Sequence, residues 1–276
     1  MAVYRGMDQE ALDRAYDNRA AVPQYADYLE DWTRRSTAYR AARPERLDLR
    51  YGPRERNRID YFAAEGANAP TLLFIHGGYW QWQMKENFAF LAEGVVPNGV
   101  SLALCGYTLG PEATMTEIVG EVRAAARWLH AHLGELGGDP DRLFVSGWSA
   151  GGHLTASAMR EPAVRGGLAI SGIFDLEPIR LSYLNAALHM DEAAARAESP
   201  IHHLPDRSGP LIVAVGGDEL PELRRQSRDY HEAWRAKGLP GEFEELPGKD
   251  HFSILEELSK PEGRFKPILG RLIGGG

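Results

Sequence analysis

Cysteine is almost missing from this chain. Cys105 stands alone among 276 residues, so an intramolecular disulfide is excluded and a cytoplasmic location is the expectation. Positive charge is in deficit: 39 Asp and Glu against 31 Lys and Arg give a formal net charge of -8. That sign argues against nucleic acid or an anionic membrane surface as partner. No apolar run approaches the roughly 20 residues of a membrane-spanning helix. The opening residues 1–8 carry no apolar core of a secretory signal, so none is expected. Clustered Cys/His sets, the H-E-x-x-H pattern and the phosphate-cradling G-x-x-x-x-G-K-[ST] pattern are all lacking, so neither metal nor cofactor is expected. Internal repeats and low-complexity tracts are lacking too. What remains is 43% hydrophobic and 25% charged, the composition of a soluble globular protein and long enough for one large α/β domain over residues 1–276. The oligomeric state is left open by these features, with a dimer among the options.

Periodicity divides the chain. Residues 8–43 read as a helical arm of two helices, with Ala11, Leu12, Ala15 and Tyr16 at helical spacing, then Tyr25, Tyr28, Leu29, Trp32 and Tyr39, and Pro23 between them. Its aromatic face is expected to pack across the domain, with part of an entrance to the site as the alternative. Residues 46–51 and 58–62 alternate as an antiparallel hairpin. Apolar runs at 71–75, 100–104, 142–145, 167–170 and 211–215 read as strands buried on both faces, and residues 241–246 as a last strand. Helices lie between them: one with Phe88, Phe90 and Leu91, one over 115–133, one over 152–159, one with Leu223, Tyr230 and Trp234, and one opening at Phe252. Alternating strands and helices after an antiparallel start predict a mostly parallel, doubly wound sheet with helices on both faces. Cys105 ends a strand and is expected to fill core. Residues 173–206, with Pro178, Pro200 and Pro205, break the rhythm. They read as a small cap insertion over the strand ends, with at most two short helical pieces.

The chemistry is expected at Gly147-Trp148-Ser149-Ala150-Gly151. An apolar strand precedes it and a helix of small residues follows, the context of a strained strand-to-helix turn that lifts a serine hydroxyl clear of the sheet. A serine hydroxyl needs an imidazole to take its proton, and the imidazole needs an acid to hold its tautomer. In the chain order Ser, acid, His, His251 is the base candidate, after the last strand. Asp218, after Gly216-Gly217, is the preferred acid. Glu219 is its rival, and Asp218 serving only as a helix cap is the alternative. Asp250 is too close in sequence to reach the His251 ring. His130 and His132 fall on a polar-edged helix, His189 in the cap, and His202 and His203 before the acid's strand. His153 is expected to pack or bind backbone. His76-Gly77-Gly78-Tyr79-Trp80 follows the 71–75 strand. There Gly77 and Gly78 would let N–H groups approach an oxyanion, with the N–H of Ala150 as a further donor. His76 is expected to shape that loop.

These motifs resemble the α/β-hydrolase fold and, within it, the kynurenine formamidase (arylformamidase) group related to the hormone-sensitive-lipase-like esterases. HGG marks the wider esterase set, and Tyr79-Trp80 is the more specific part. Tyr16-Asp17-Asn18-Arg19-Ala20-Ala21-Val22-Pro23 and Asp250-His251-Phe252 are similar to that group as well. The resemblance implies a Ser149–Asp218–His251 triad, an oxyanion site from Gly77, Gly78 and Ala150, and hydrolysis of N-formylkynurenine to formate and kynurenine. A broad carboxylesterase with the same motifs is the alternative. A non-catalytic binding protein would be expected to have lost a triad member. Tyr79, Trp80, Trp148, Phe174, Tyr183 and Phe252, with Trp82, are expected to wall a pocket for a flat aryl amide or ester, with core filling by about half of them as the alternative. Arg180 in the cap is a candidate partner for a substrate carboxylate.

Overall fold

The computed structural model describes residues 1–274. Two short helices, α1 (Gln9–Ala15) and α2 (Asn18–Ala21), open the chain. Each begins at an aspartate, Asp8 and Asp17, whose carboxylate accepts from the backbone N–H three residues on. A long helix α3 (Tyr25–Ala42) follows. The arm therefore holds three helices rather than two, because Asp17 starts a separate turn ahead of Pro23.

Strands β1 (Leu49–Arg50) and β2 (Arg58–Phe62) pair antiparallel, although β1 is shorter than the alternation predicts. Pro44–Arg46 forms a 3-10 turn, and Asp48 sits at φ 56°. Next come β3 (Ala69–Ile75), a 3-10 segment Lys85–Leu91 leading into α4 (Ala92–Val95), and β4 (Ser101–Cys105). A capping box joins Thr114 and Glu117 at the start of α5 (Met115–His132). Then follow β5 (Gly138–Trp148), α6 (Ala150–Ala158) and β6 (Val164–Ile170). The next stretch carries α7 (Glu177–Leu181), α8 (Asn185–Leu188) and α9 (Glu192–Ala197), plus a 3-10 turn at Pro200–His202. That is more helix than its prolines suggest, since Pro178 and Pro200 sit in first turns, where a missing N–H is harmless. The chain closes with β7 (Leu211–Gly216), α10 (Pro221–Ala236), β8 (Gly241–Leu246), α11 (Ser253–Ser259) and α12 (Phe265–Gly274).

The eight strands form one sheet in the order β1-β2-β4-β3-β5-β6-β7-β8. Pairing is antiparallel from β1 through β4 and parallel from there on. This is the mostly parallel α/β-hydrolase sheet that the alternation of strands and helices predicts. Alternate residues of each central strand feed opposite faces. Leu73, Ile75, Val145, Ala169 and Val213 join one core with Leu12, Ile118, Val122, Leu154, Tyr230 and Trp234. Leu72, Phe74, Phe144, Leu168 and Ile212 join the other with Trp32, Phe88, Phe90, Leu255, Phe265 and Leu269. A strand apolar at every position needs a helix layer on each side, and the two cores supply it. Cys105 is buried, and burial pushes its thiol up to about 12, consistent with core packing. No described helix is long and apolar enough to cross a membrane.

The topology sets up the site. Strands β3, β5, β6, β7 and β8 are neighbours and run parallel, so the loops after their C-terminal ends lie along one rim of the sheet.

Candidate active site

Ser149 stands at the end of β5 with φ 59° and ψ -120°, a conformation an L-residue adopts only when its surroundings enforce it. Its N–H donates to the Ile170 carbonyl at 2.8 Å. Glycine is required on both sides by close approach. A methyl group on Gly147 would strike the Gly151 carbonyl, and one on Gly151 would strike the carbonyl of Ile75. Strand and helix are thus pressed together at the turn, and Ser149 takes up the strain.

His251 follows β8 in the turn before α11. Its Nδ1 lies 2.7 Å from Oε2 of Glu219. A carboxylate can only accept, so Nδ1 carries the proton and Nε2 is the ring's free acceptor. The other Glu219 oxygen, Oε1, accepts from the Ser171 hydroxyl at 2.5 Å and the Gly216 N–H at 2.7 Å. Glu219 and His251 are both buried. The acid that holds His251 is therefore Glu219, and the expectation of Asp218 is corrected. Asp218 is exposed, and its N–H is tied to the Lys249 carbonyl at 3.0 Å. The turn at Gly217-Asp218 sends that side chain outward, and the next residue, one methylene longer, reaches inward. Ser171, which follows β6 and anchors Glu219, had no signal in the sequence pattern.

Trp148 ties the elbow to the base. Its indole N–H donates to the His251 carbonyl at 2.7 Å, and its ring lies 4.8 Å from the imidazole. Trp32 of α3 packs edge-on against Trp148 at 5.5 Å.

The loop after β3 is held from several directions. His76 donates from Nδ1 to the Gly77 carbonyl at 2.8 Å and is stacked on Tyr107 at 4.3 Å. Because the peptide is planar and trans, this aims the Gly78 N–H away from His76. Gly78 has φ 107°, and a Cβ there would strike the Trp82 carbonyl. A Cβ on Gly77 would press on the Trp148 and Ser149 side chains, so this backbone lies directly against the elbow. Tyr79, Trp80 and Gln83 also take positive φ. Their strain is countered by fixed partners: Tyr79 donates to the Tyr16 carbonyl at 2.5 Å, and Gln81 to the Leu184 carbonyl at 2.9 Å. The Trp80 indole donates to His153 Nδ1 at 3.2 Å, while His153 Nε2 meets the Glu198 carbonyl at 2.8 Å. An indole only donates and a carbonyl only accepts, so His153 is the neutral Nε2–H tautomer. Burial lowers the His76 imidazole to about 3 and the His153 imidazole to about 4. Both are scaffold.

One cavity of about 480 Å³ is lined by Ser149, His251 and Gly78, a volume suited to a small molecule. Tyr79, Trp148, Tyr183 and Phe252 line it, and so do Trp82 and Gln83. Trp80 and Phe174 do not line it, which corrects two sequence readings. Trp80 is fully buried against His153, and Phe174 stacks on Tyr230 at 4.2 Å. Arg180 pairs with Glu177 at 2.6 Å and is likewise absent from the lining. In its place the arm contributes Asp17, Asn18, Arg19, Ala20, Tyr25 and Leu29. The arm, for which the sequence favours packing over a place at the site entrance, thus builds one wall of the cavity.

Comparison with known proteins agrees with this architecture. The BD-FAE family model matches residues 59–161. The kynurenine formamidase of Danio rerio is 29% identical over 298 residues, covering 99% of both chains. Esterase LipQ of Mycobacterium tuberculosis is 27% identical, covering 74% of this chain and 56% of its own. The crystal structure of a candidate thioesterase from Silicibacter sp. TM1040 superposes with a TM-score of 0.84 at 31% identity, covering 95% of this chain and 98% of that one. With the parallel sheet, the serine elbow and the buried carboxylate–imidazole pair, these likenesses show that the chain is a hydrolase belonging to the α/β-hydrolase family, of the arylformamidase-like kind.

Proposed function

We propose that the protein hydrolyses a small aryl formamide, N-formylkynurenine being the model substrate, through an acyl-enzyme on Ser149. The observation that carries this reading is the Glu219–His251 pair, buried beside Ser149 at one aromatic-walled cavity. The full-length similarity to kynurenine formamidase supports the choice of acyl group.

In this mechanism the Ser149 hydroxyl attacks the formyl carbon while His251 Nε2 takes its proton. Glu219 stabilises the imidazolium that results. The tetrahedral oxyanion is received by backbone N–H groups of Gly77, Gly78 and Ala150. Ala150 is the first residue of α6, where an N–H has no intrahelical acceptor and the helix dipole is positive. His251 then protonates the aniline nitrogen as the C–N bond breaks. Water enters, gives a proton to His251 and attacks the formyl ester, and formate leaves as Ser149 regains its proton. The expected acyl acceptor is water, and the expected ligand is the small-molecule substrate.

A second reading, a carboxylesterase for short-chain or aryl esters, is favoured by the esterase relative. The two are separated by kcat/KM for N-formylkynurenine against p-nitrophenyl acetate, measured on wild type and Ser149→Ala together. Turnover of the formamide within about tenfold of the ester supports the amidase reading. Brisk ester cleavage with negligible formamide cleavage selects the esterase. Ser149→Ala should remove about five to six orders of magnitude from kcat on either substrate, and survival of activity would remove Ser149 from the mechanism.

A further inference from the structure

Arg19 is an unusual cation. It lines the cavity, and its guanidinium lies 4.6 Å from the Trp82 ring centroid and 5.7 Å from that of Tyr25. Among the described residues no carboxylate pairs with it, although nearby arginines are paired: Arg14 with Glu10, Arg35 with Glu256 and Arg225 with Glu222. Arg19 is exposed, two aromatic rings flank its guanidinium, and its N–H groups have no protein acceptor among the described residues, which leaves them for bidentate capture of a carboxylate.

The opposite charge lies two residues away. Asp17 also lines the cavity, and one of its oxygens, Oδ1, caps α2 by accepting the Ala20 N–H at 3.0 Å. Asp17 and Arg19 both act on the Tyr183 hydroxyl across the cavity mouth. Burial and Asp17 push its pKa up, and Arg19 pulls it back. Between them Asn18 is held inward. The Tyr79 hydroxyl donates to Tyr16, so it must accept from Asn18 Nδ2 at 2.9 Å, which turns the amide oxygen the other way. That buried Oδ1 has no partner among the described residues. One short helical turn thus brings a cation, an anion and a spare acceptor to the rim of an aromatic cavity.

The geometry points to a recognition site for the zwitterionic head of an aryl-substituted α-amino acid. Arg19 receives the carboxylate, Asp17 receives the ammonium, and the aryl group lies between Tyr79, Trp148 and Phe252 with its acyl end toward Ser149. This rests on the hydrolase reading of the cavity and deepens it, because it assigns substrate selection to the arm and not to the β6–β7 segment. Arg19 and Asp17 are specificity-determining residues and take no part in bond making.

The test compares two non-hydrolysable ligands, L-kynurenine and 2'-aminoacetophenone, which share the aryl ketone and differ in the amino-acid head. Binding is measured by titration calorimetry on the full chain. In the wild type the ratio of the two dissociation constants should favour L-kynurenine by more than tenfold. Arg19→Met should bring the ratio toward one, and Arg19→Lys should restore part of it. A ratio near one in the wild type, or one that Arg19→Met does not move, overturns the proposal. A purely structural role for Arg19 would weaken both ligands and leave the ratio alone, which also overturns it. Formanilide and N-formylkynurenine hydrolysis are assayed in parallel. Loss of all formamide turnover with the Arg19-dependent ratio intact rejects the formamidase reading and keeps the head-group site. Formamide turnover without the ratio does the reverse.

Discussion

Replacing Glu219 by Gln exchanges one oxygen for an NH2 group and tests the proposed catalytic geometry directly. The carboxylate accepts three hydrogen bonds: one from His251 on Oε2, and two, from Ser171 and Gly216, on Oε1. The Gly216 N–H is a donor that cannot turn away, so the glutamine carbonyl must occupy the Oε1 position. The amide NH2 then faces His251 Nδ1 and donates to it. The imidazole is forced into the Nε2–H tautomer, and the nitrogen that should take the Ser149 proton already carries one and has no lone pair free to accept it. A wrong-tautomer base costs about 10³–10⁴-fold in kcat, roughly 4 to 5 kcal/mol of transition-state stabilisation. Folding should survive, because the side-chain volume is kept and Ser171 and Gly216 keep their acceptor. The assay is kcat on N-formylkynurenine and on p-nitrophenyl acetate, with thermal unfolding as the control. Asp218→Asn should leave kcat within about threefold on both substrates, since that carboxylate is exposed. If Asp218→Asn abolishes turnover and Glu219→Gln spares it, the assignment of the acid is wrong.

Two further outcomes follow from burial and close approach. Gly151→Ala forces a methyl group onto the Ile75 carbonyl; overpacking there should cost about 1 to 3 kcal/mol in urea denaturation and lower kcat as well, because Ser149 rides on that turn. An unchanged denaturation midpoint would show that strand and helix are not in contact at the elbow. His153 should make the fold acid-sensitive. Its imidazole falls from 6.5 to about 4 on burial, so between those values the unfolded chain binds the extra proton. The His153 share of stability is therefore full above pH 6.5, declines as pH falls toward 4, and is lost, about 3 kcal/mol, below that, while buried His76, lowered to about 3, adds a decline of the same sign. His153→Gln can offer its carbonyl to Trp80 and its N–H to Glu198, and should flatten that decline in pH-dependent unfolding. An unaltered slope would assign the acid limb elsewhere.

Much of the fold was legible because buried parallel strands announce themselves. Leu72 to Ile75 and Leu211 to Val215 are apolar at every position, and only a sheet covered on both faces calls for that. The elbow was legible because close approach admits few residue types at Gly147 and Gly151. The acid was not, because the sequence gives distance along the chain while the turn decides direction. Asp218 is nearer to β7, but Glu219 points inward. The pocket walls were half legible. Residues next to Ser149 and His251 in sequence, such as Trp148 and Phe252, must lie near them. Trp80 is equally near in sequence to the glycine loop, yet the positive φ at Tyr79 and Trp80 turns its indole to His153 and the core. Asp17 to Arg19 lie about 130 residues from Ser149, and no local pattern ties them to it. An amphipathic arm reads as packing whether its aromatic face meets a core or a cavity.

The three histidines beside the sheet rim divide scaffold from chemistry by environment. His76 and His153 are wholly buried and near no carboxylate that bonds their rings; backbone carbonyls and an indole N–H are their partners. Those partners occupy both nitrogens of His153 and Nδ1 of His76, whose Nε2 is buried without a partner among the described residues, and burial in low dielectric holds both rings neutral. Protonating His153 would destroy the acceptor that fixes Trp80, and a charged His76 would have to be accommodated between Phe88 and Tyr107. His251 alone has a carboxylate on its ring and a cavity beside it. In the proposed mechanism it gains and loses a proton in each half-reaction, and Glu219 is the group that makes the charged ring tolerable there. The loop geometry around Gly77 and Gly78 is then independent of the proton traffic, because the imidazoles that hold it do not take part. A cycle that moves protons through one histidine needs its oxyanion donors fixed throughout, and burial of the other two supplies that.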